Sequence, residues 1–217
     1  MKLGKLTGLL LLLLSACTIT NPAPTATHAP PSETPIPSPT PFPMSDGVFT
    51  GDPQDFLLNA ETLEGYTPQD SGFESDNARV IELREDGEAY INATGRLSGW
   101  QIQFNREDQR DGPAYIVHVV NTFSQLDGPA LAIGPVWQSA IYNQFSNAGL
   151  EQITGLENLE GQNYLMWRDE NGSVGLQIAY RNLLLFYTGP FESDDDAAFF
   201  AQLALRHIEW IQAGEPK

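Results

Sequence analysis

The side chains able to do chemistry are few, and their spacing limits what chemistry they can do. His207 precedes Trp210 by three residues. Wound as a helix, the two fall among Phe199, Phe200, Leu203 and Ile211. An imidazole and an indole on one helix face can line a ligand pocket. The same arrangement also describes a core histidine hydrogen-bonded to a neighbour, and so apolar a setting favours that. His207 and Trp210 are therefore the candidate ligand-binding residues, held against that plainer role. His118 lies in a β-branched, aromatic stretch, and His28 among prolines. The carboxylates of Asp194-Asp195-Asp196, with Glu192 beside them, can take a divalent cation, but acids at a helix start also satisfy free amides and the macrodipole. EF-hand spacing is absent, so capping is the preferred role. Asp169-Glu170-Asn171-Gly172 is likewise a better hairpin turn than a calcium loop.

Other patterns fail on spacing. Gly95-Arg96-Leu97-Ser98-Gly99 does not space its serine as a nucleophile elbow requires. His207-Ile208-Glu209 supplies the His-x-Glu half of a zinc deaminase site, but the Cys-x-x-Cys half is missing. No His-Glu-x-x-His occurs. Trp100, Trp137, Trp167 and Trp210, with Tyr66, Tyr115 and Tyr164, fall at strand and helix periodicities and read as packing residues rather than a stacking surface. Arg106, Arg168 and Arg181 can hold an anion, though ion pairing is simpler among so many carboxylates. We assign no catalytic residue, no metal and no cofactor from this sequence.

The 217 residues carry 28 acidic and 11 basic side chains, a net charge of −17. A nucleic-acid partner needs a basic face to neutralise phosphates, so that class is excluded. A single cysteine allows no intramolecular disulfide and no multi-cysteine metal site. No apolar run reaches the length of a membrane span.

The N-terminus is the most specific segment. Lys2 and Lys5 make a positive start, Leu6 to Leu14 an apolar stretch, and Ser15 and Ala16 a small-residue site before Cys17. So short an apolar stretch fits a secretory leader rather than a span. Leu14-Ser15-Ala16-Cys17 resembles the lipobox of bacterial lipoproteins. The resemblance implies cleavage before Cys17, a diacylglyceryl group on its thiol, acylation of the new amine, and a place on the outer side of a cell membrane. Two or three acyl chains, at about 0.8 kcal/mol per buried CH2, hold a water-soluble domain where one chain is marginal.

The expected organisation is a leader over 1–16, the lipidated cysteine with a linker over 17–45, and one domain over 46–217. Residues 18–45 contain nine prolines and nine threonines or serines. Such a stretch favours extended polyproline-like conformations at about 3.1 Å per residue, a reach on the order of 80 Å. The 46–217 domain holds 27 acidic against 9 basic residues. An anionic bilayer repels such a body, so attachment falls to the lipid.

Within the domain, Asp52-Pro53 predicts a helix near 53–61, followed by a loop at Gly65-Tyr66-Thr67-Pro68 and an irregular polar stretch over 69–79. Asp86–Thr94 reads as a short helix ended by Gly95, a hairpin through Asp86-Gly87 being the alternative. Trp100, Ile102 and Phe104 alternate with Gln101, Gln103 and Asn105, which marks a half-buried strand. A turn through Asp108–Gly112 leads to a second strand over Tyr115–Phe123. Asp127-Gly128-Pro129 opens a helical stretch interrupted at Pro135 and ended at Gly149. Three strands follow: Tyr164–Arg168, one carrying Val174, Leu176, Ile178 and Tyr180 on one face, and Leu183–Thr188. Arg181-Asn182 is the turn between the last two, because asparagine tolerates the left-handed conformation. A helix over about 195–212 completes the chain.

The predicted class is α+β: an antiparallel sheet of about five strands with helices mainly on one face, behind a disordered Pro/Thr-rich stalk. The element order resembles small α+β lipoprotein domains of the PsbP, Mog1 and LpqN kind. Many of these are binding or assembly modules, and no functional residue carries over. The expected function is that of a membrane-anchored extracytoplasmic lipoprotein presenting a non-catalytic domain to an envelope protein or a small-molecule ligand. An envelope hydrolase using Asp/Glu acid–base chemistry is the alternative.

Overall fold

The computed structural model describes residues 41–59, 62–107, 112–134, 151–190 and 193–215, all within the unit Ile36–Lys217. The leader with Cys17, the linker to residue 40, most of the Asp108–Gly112 turn and the helical stretch from Pro135 to Gly149 lie outside the described residues. In chain order the elements are β1 (Met44–Ser45), β2 (Val48–Phe49), a 3-10 turn (Pro53–Phe56), β3 (Tyr66–Pro68), β4 (Phe73–Glu74), α1 (Asn77–Leu83) and α2 (Gly87–Thr94). Then come β5 (Arg96–Arg106), β6 (Tyr115–Phe123), α3 (Gly128–Ala132), β7 (Glu151–Ile153), a 3-10 turn (Glu157–Leu159), β8 (Tyr164–Arg168), β9 (Ser173–Tyr180), β10 (Leu183–Pro190) and α4 (Asp194–Ala213).

The main sheet has eight strands, not five, in the order β3-β5-β6-β10-β9-β8-β7, with β4 also paired to β5. Every pairing is antiparallel. The three unexpected strands are β3, β4 and β7, each of two or three residues. So short a segment shows no period-2 pattern, and its strand conformation comes from the longer partner. The 11-residue β5 pairs with β6 along one edge and takes β3 and β4 along the other.

Helices cover both faces, which corrects the one-face arrangement. Along β10, Leu183, Leu185 and Tyr187 join the cluster that contains Phe200, Ala204 and Ile211 of α4. The intervening Leu184 and Phe186 join Tyr90 of α2 and Ala132 and Ile133 beside α3. Adjacent strand residues point to opposite faces, so the two clusters lie on opposite sides of the sheet. On the second side Trp167 lies across Gly175, where an added Cβ would come within 2.4 Å of the indole.

The caps follow local chemistry. Asp52 accepts from Gln54 N at 2.9 Å and Pro53 opens the turn, as Asp-Pro suggests, but the turn is 3-10 and ends at Phe56. Gly95 ends α2 with φ +69°, the left-handed conformation glycine takes without a Cβ penalty. Val80–Leu83 is helical, so the hairpin alternative at Asp86-Gly87 fails. α4 begins at Asp194 behind Ser193, whose N–H donates to Asp196 Oδ2 at 2.9 Å. At the β9–β10 turn it is Arg181, not Asn182, that takes positive φ, at +52°.

Asn182 instead turns inward. It is fully buried, accepts from Phe49 N at 2.8 Å, and donates to Phe49 O at 3.0 Å and Phe123 O at 2.8 Å. It thereby fastens the segment 41–58, called the strap below, to the sheet. The strap's own hairpin turns at Asp46 and Gly47, both with positive φ, the pair a tight two-residue turn requires. Phe42, Phe49 and Phe56 interlock with ring centroids 4.8 to 6.0 Å apart. Phe42 also meets Trp210 of α4 at 5.4 Å, and its N–H donates to Gly214 O at 2.9 Å.

Candidate functional site

His207 and Trp210 do lie together, stacked one turn apart on α4 with ring centroids 5.9 Å apart. Neither lines the two recesses described below. His207 is fully buried and Trp210 only 8% exposed. Around them the fold assembles a polar cluster inside the core. Tyr187 on β10 sits opposite His118 on β6 in the strand register. Tyr187 Oη and His207 Nδ1 share a hydrogen bond of 2.7 Å. The His118 ring stacks on Tyr187 at 4.7 Å and meets His207 edge-on at 5.1 Å.

Hydrogen-bond logic fixes much of the protonation. His118 Nδ1 lies 3.0 Å from Phe186 O. A carbonyl only accepts, so Nδ1 carries the hydrogen and Nε2 is left with a bare lone pair. Among the described residues neither Nε2 has a hydrogen-bond partner. The Phe56 carbonyl of the strap lies beside both rings, close enough to favour their protonated forms but outside good hydrogen-bond geometry to either Nε2. Burial dominates all the same. It lowers the His118 pKa to about 4, against the opposing pull of the Phe186 and Phe56 carbonyls. His207 is held well below the ordinary histidine range, by burial first and by His118 second. Burial also raises the Tyr187 hydroxyl well above its ordinary value. At neutral pH the cluster is uncharged and closed to solvent, a setting for packing and polar specificity rather than for turnover.

The sequence pointed to His207 and Trp210 but not to their partners. One signal was there: His118 shares inward parity with Ile116 and Val120, so an alternating strand already places it in the core.

Two recesses among the described residues carry little. One of about 360 Å3 is lined by Glu151, Thr154, Leu156 and Arg168 among others, and its carboxylate is tied up by the Arg168–Glu151 ion pair at 2.7 Å. A smaller one of about 120 Å3 is bounded by Asp52, Glu74 and Trp100, where Asp52 serves as a cap. Neither aims a nucleophile and a base at one point.

The other feature is apolar. α1 has no buried residue, and Ile81 and Leu83 are 48% and 55% exposed. Leu97 at the start of β5 and Leu126 and Leu131 around α3 are 45–54% exposed. These elements adjoin. Asn77 Nδ2 donates to Arg96 O at 3.1 Å, and Ser124 N donates to Gly95 O at 2.8 Å. Arg96 organises the junction. It is 3% exposed and donates to Asn121 Oδ1, Asn77 Oδ1, Ser75 O and Ser75 Oγ, every acceptor neutral. Glu82, Glu85, Glu88 and Asp127 stand exposed around this end.

No family model matches the chain, and no curated protein does. Among solved structures the chain is similar to the extracellular domain of PknH from Mycobacterium tuberculosis, at 10% identity over 72% of this chain and 93% of that one, with a TM-score of 0.41.

Proposed function

We propose that this chain is a lipid-anchored extracytoplasmic lipoprotein whose folded domain binds an envelope protein and performs no catalysis. The observation that carries the binding role is the group of half-exposed aliphatic side chains, Ile81, Leu83, Leu97, Leu126 and Leu131, at the α1–α3 end. Fully burying one such side chain is worth about 1.5–3 kcal/mol, so covering the exposed halves of several supplies useful binding energy. The acidic residues around them disfavour an anionic bilayer as the surface they meet. Location rests on the lipobox, where the chain's only cysteine stands at the position that lipidation requires.

The test uses membranes from cells making the full chain with a photo-crosslinking residue in place of Leu97. A discrete protein adduct, absent when the residue replaces Gln54 on the strap, is the expected result. An equal smear from both positions overturns the binding role. Cys17→Ser tests the anchor: the variant should leave the membrane fraction, and its retention there refutes lipidation.

A further inference from the structure

We propose that the strap is an acid-released latch: protonation of the His118–His207 pair frees residues 41–58 from the sheet and α4. The consequence for tether length rests on the anchored reading above; the release itself does not.

β1 and β2 pair only with each other, so the strap contributes no strand to the eight-stranded sheet. It can leave without breaking a ladder. Its polar fastenings include Phe42 N to Gly214 O, Arg181 to Gly47 O, and the three bonds of Asn182. The rest is apolar contact, with Phe42, Phe49, Phe56 and Leu58 in the core cluster and Met44 and Leu57 packed against it. Segments held by few backbone bonds open at lower free energy than the strands of a central sheet.

The cluster beneath gives the strap a proton-dependent reason to open. His118 sits on a central strand and His207 on a 20-residue helix, so those two walls are fixed. The strap packs against the same cluster: its Phe42 meets Trp210, which stacks on His207, and its buried Phe56 sets a carbonyl beside both imidazoles. An added proton puts a full charge in this space, and among the described residues no carboxylate is bonded to either ring. On the strap, Asp52 and Asp55 are exposed and occupied in the cap. β6 presents His118 and β10 presents neutral Tyr187. On α4, Arg206 and Glu209 flank His207 in sequence but point to solvent. Glu215, past the end of α4, is bonded to Tyr180 and Arg181. Two opposing effects remain. The carbonyls favour the imidazolium and burial disfavours it, and burial wins. Opening the strap lets water reach the charge while both its walls stay in place.

The size follows from the two protonation equilibria. With His118 at about 4 when closed and about 6.5 when hydrated, a fall from pH 7.5 to 5 raises the open-to-closed ratio roughly thirtyfold. Release adds eighteen residues to the linker, on the order of 55 Å at about 3.1 Å per residue. It also uncovers the side of α4 that carries Trp210.

Hydrogen exchange of the mature full chain at pH 7.5 and pH 5, scaled for the intrinsic rate, tests the latch directly. Strap peptides should lose protection ten- to thirtyfold while β6, β9 and β10 keep theirs. Carbon-labelled histidine supplies a second reading on the unmutated chain. The imidazoles of His118 and His207 should gain protons in step with strap opening. The triple variant His118→Phe, Tyr187→Phe, His207→Phe should hold its strap at pH 5; if it does not fold, the unmutated chain decides. Strap protection unchanged at pH 5, loss of strap and sheet together, or imidazoles that protonate under a closed strap each overturn the proposal. None of these readouts depends on the lipid, so failure of the anchor, seen by fractionation, is a separate result.

Discussion

Replacing Asn182 by alanine should be among the most damaging single changes in the domain, although it removes only a small polar side chain. The amide makes three hydrogen bonds, all to backbone groups of Phe49 and Phe123. Those residues are 2% and 0% exposed, so one N–H and two carbonyls lose their partner in a dry place. An unsatisfied buried group costs about 1–3 kcal/mol. Three such groups, with some relief as the strap loosens, give an expected loss of about 3–5 kcal/mol, a large part of the roughly 5–15 kcal/mol that typically holds a domain folded. Urea unfolding at pH 7, followed by tryptophan fluorescence, measures it. Asn182→Asp separates the donor role from the acceptor role. Its carboxylate can still accept from Phe49 N but sets charge against two carbonyls, so it should be at least as destabilised at pH 7. Relative to the unmutated protein it should recover as pH falls, because a protonated carboxyl can donate to one carbonyl. A loss below about 1 kcal/mol for Asn182→Ala would refute the view that this side chain fastens the strap.

Three further outcomes follow from the same geometry. Because His118 has its pKa lowered to about 4, the unfolded chain binds more protons below its ordinary value; stability is complete above about pH 6.5 and should fall by about 3 kcal/mol by pH 4, measured as urea midpoints across pH. Arg96→Lys keeps a charge but cannot reach Asn77, Ser75 and Asn121 together, and should cost about 2–4 kcal/mol, with α1 losing exchange protection before β5. Glu215→Gln breaks the fork to Arg181, whose Nη2 lies 2.5 Å from Glu215 Oε2, and should cost about 0.5–1 kcal/mol, less in high salt. Burial raises the Glu215 pKa, but its bonds to Arg181 and Tyr180 and the Arg181 charge together outweigh this, so the net shift is downward and this contribution should disappear as pH falls through the carboxylate range.

The long strands were legible because their patterns are long. β6 matches its expected range residue for residue, β10 runs two residues past its expected end, and Val174, Leu176 and Ile178 of β9 all face the core. Alternation over eight or nine residues leaves one consistent facing. The failures lie where local signal is short or misassigned. β3, β4 and β7 owe their conformation to a neighbour rather than to their own residues. Ser45-Asp46-Gly47-Val48 carries the Asp-Gly pair of a tight hairpin, yet the proline-rich context placed a linker boundary inside it. Phe42 and Met44, in the stretch read as linker, pack against the core. Composition measures what a segment can do alone, and the strap's three phenylalanines are stable only against α4 and the sheet.

The candidate site was legible in the same partial way. Helical spacing put His207 and Trp210 on one face, because that follows from 3.6 residues per turn. It could not show which strand that face meets, and the partner decides the chemistry. Against an open groove the pair would serve a ligand. Set against Tyr187, His118 and a carbonyl 62 positions before His118, the same two side chains become a neutral polar core that one proton unsettles. The strap packs on that core through Phe42 and Phe56 and is the first described segment of the chain. Under the latch proposed above, a proton that enters the cluster acts on this segment before it acts on the sheet, because the strap shares no ladder with β6 or β10.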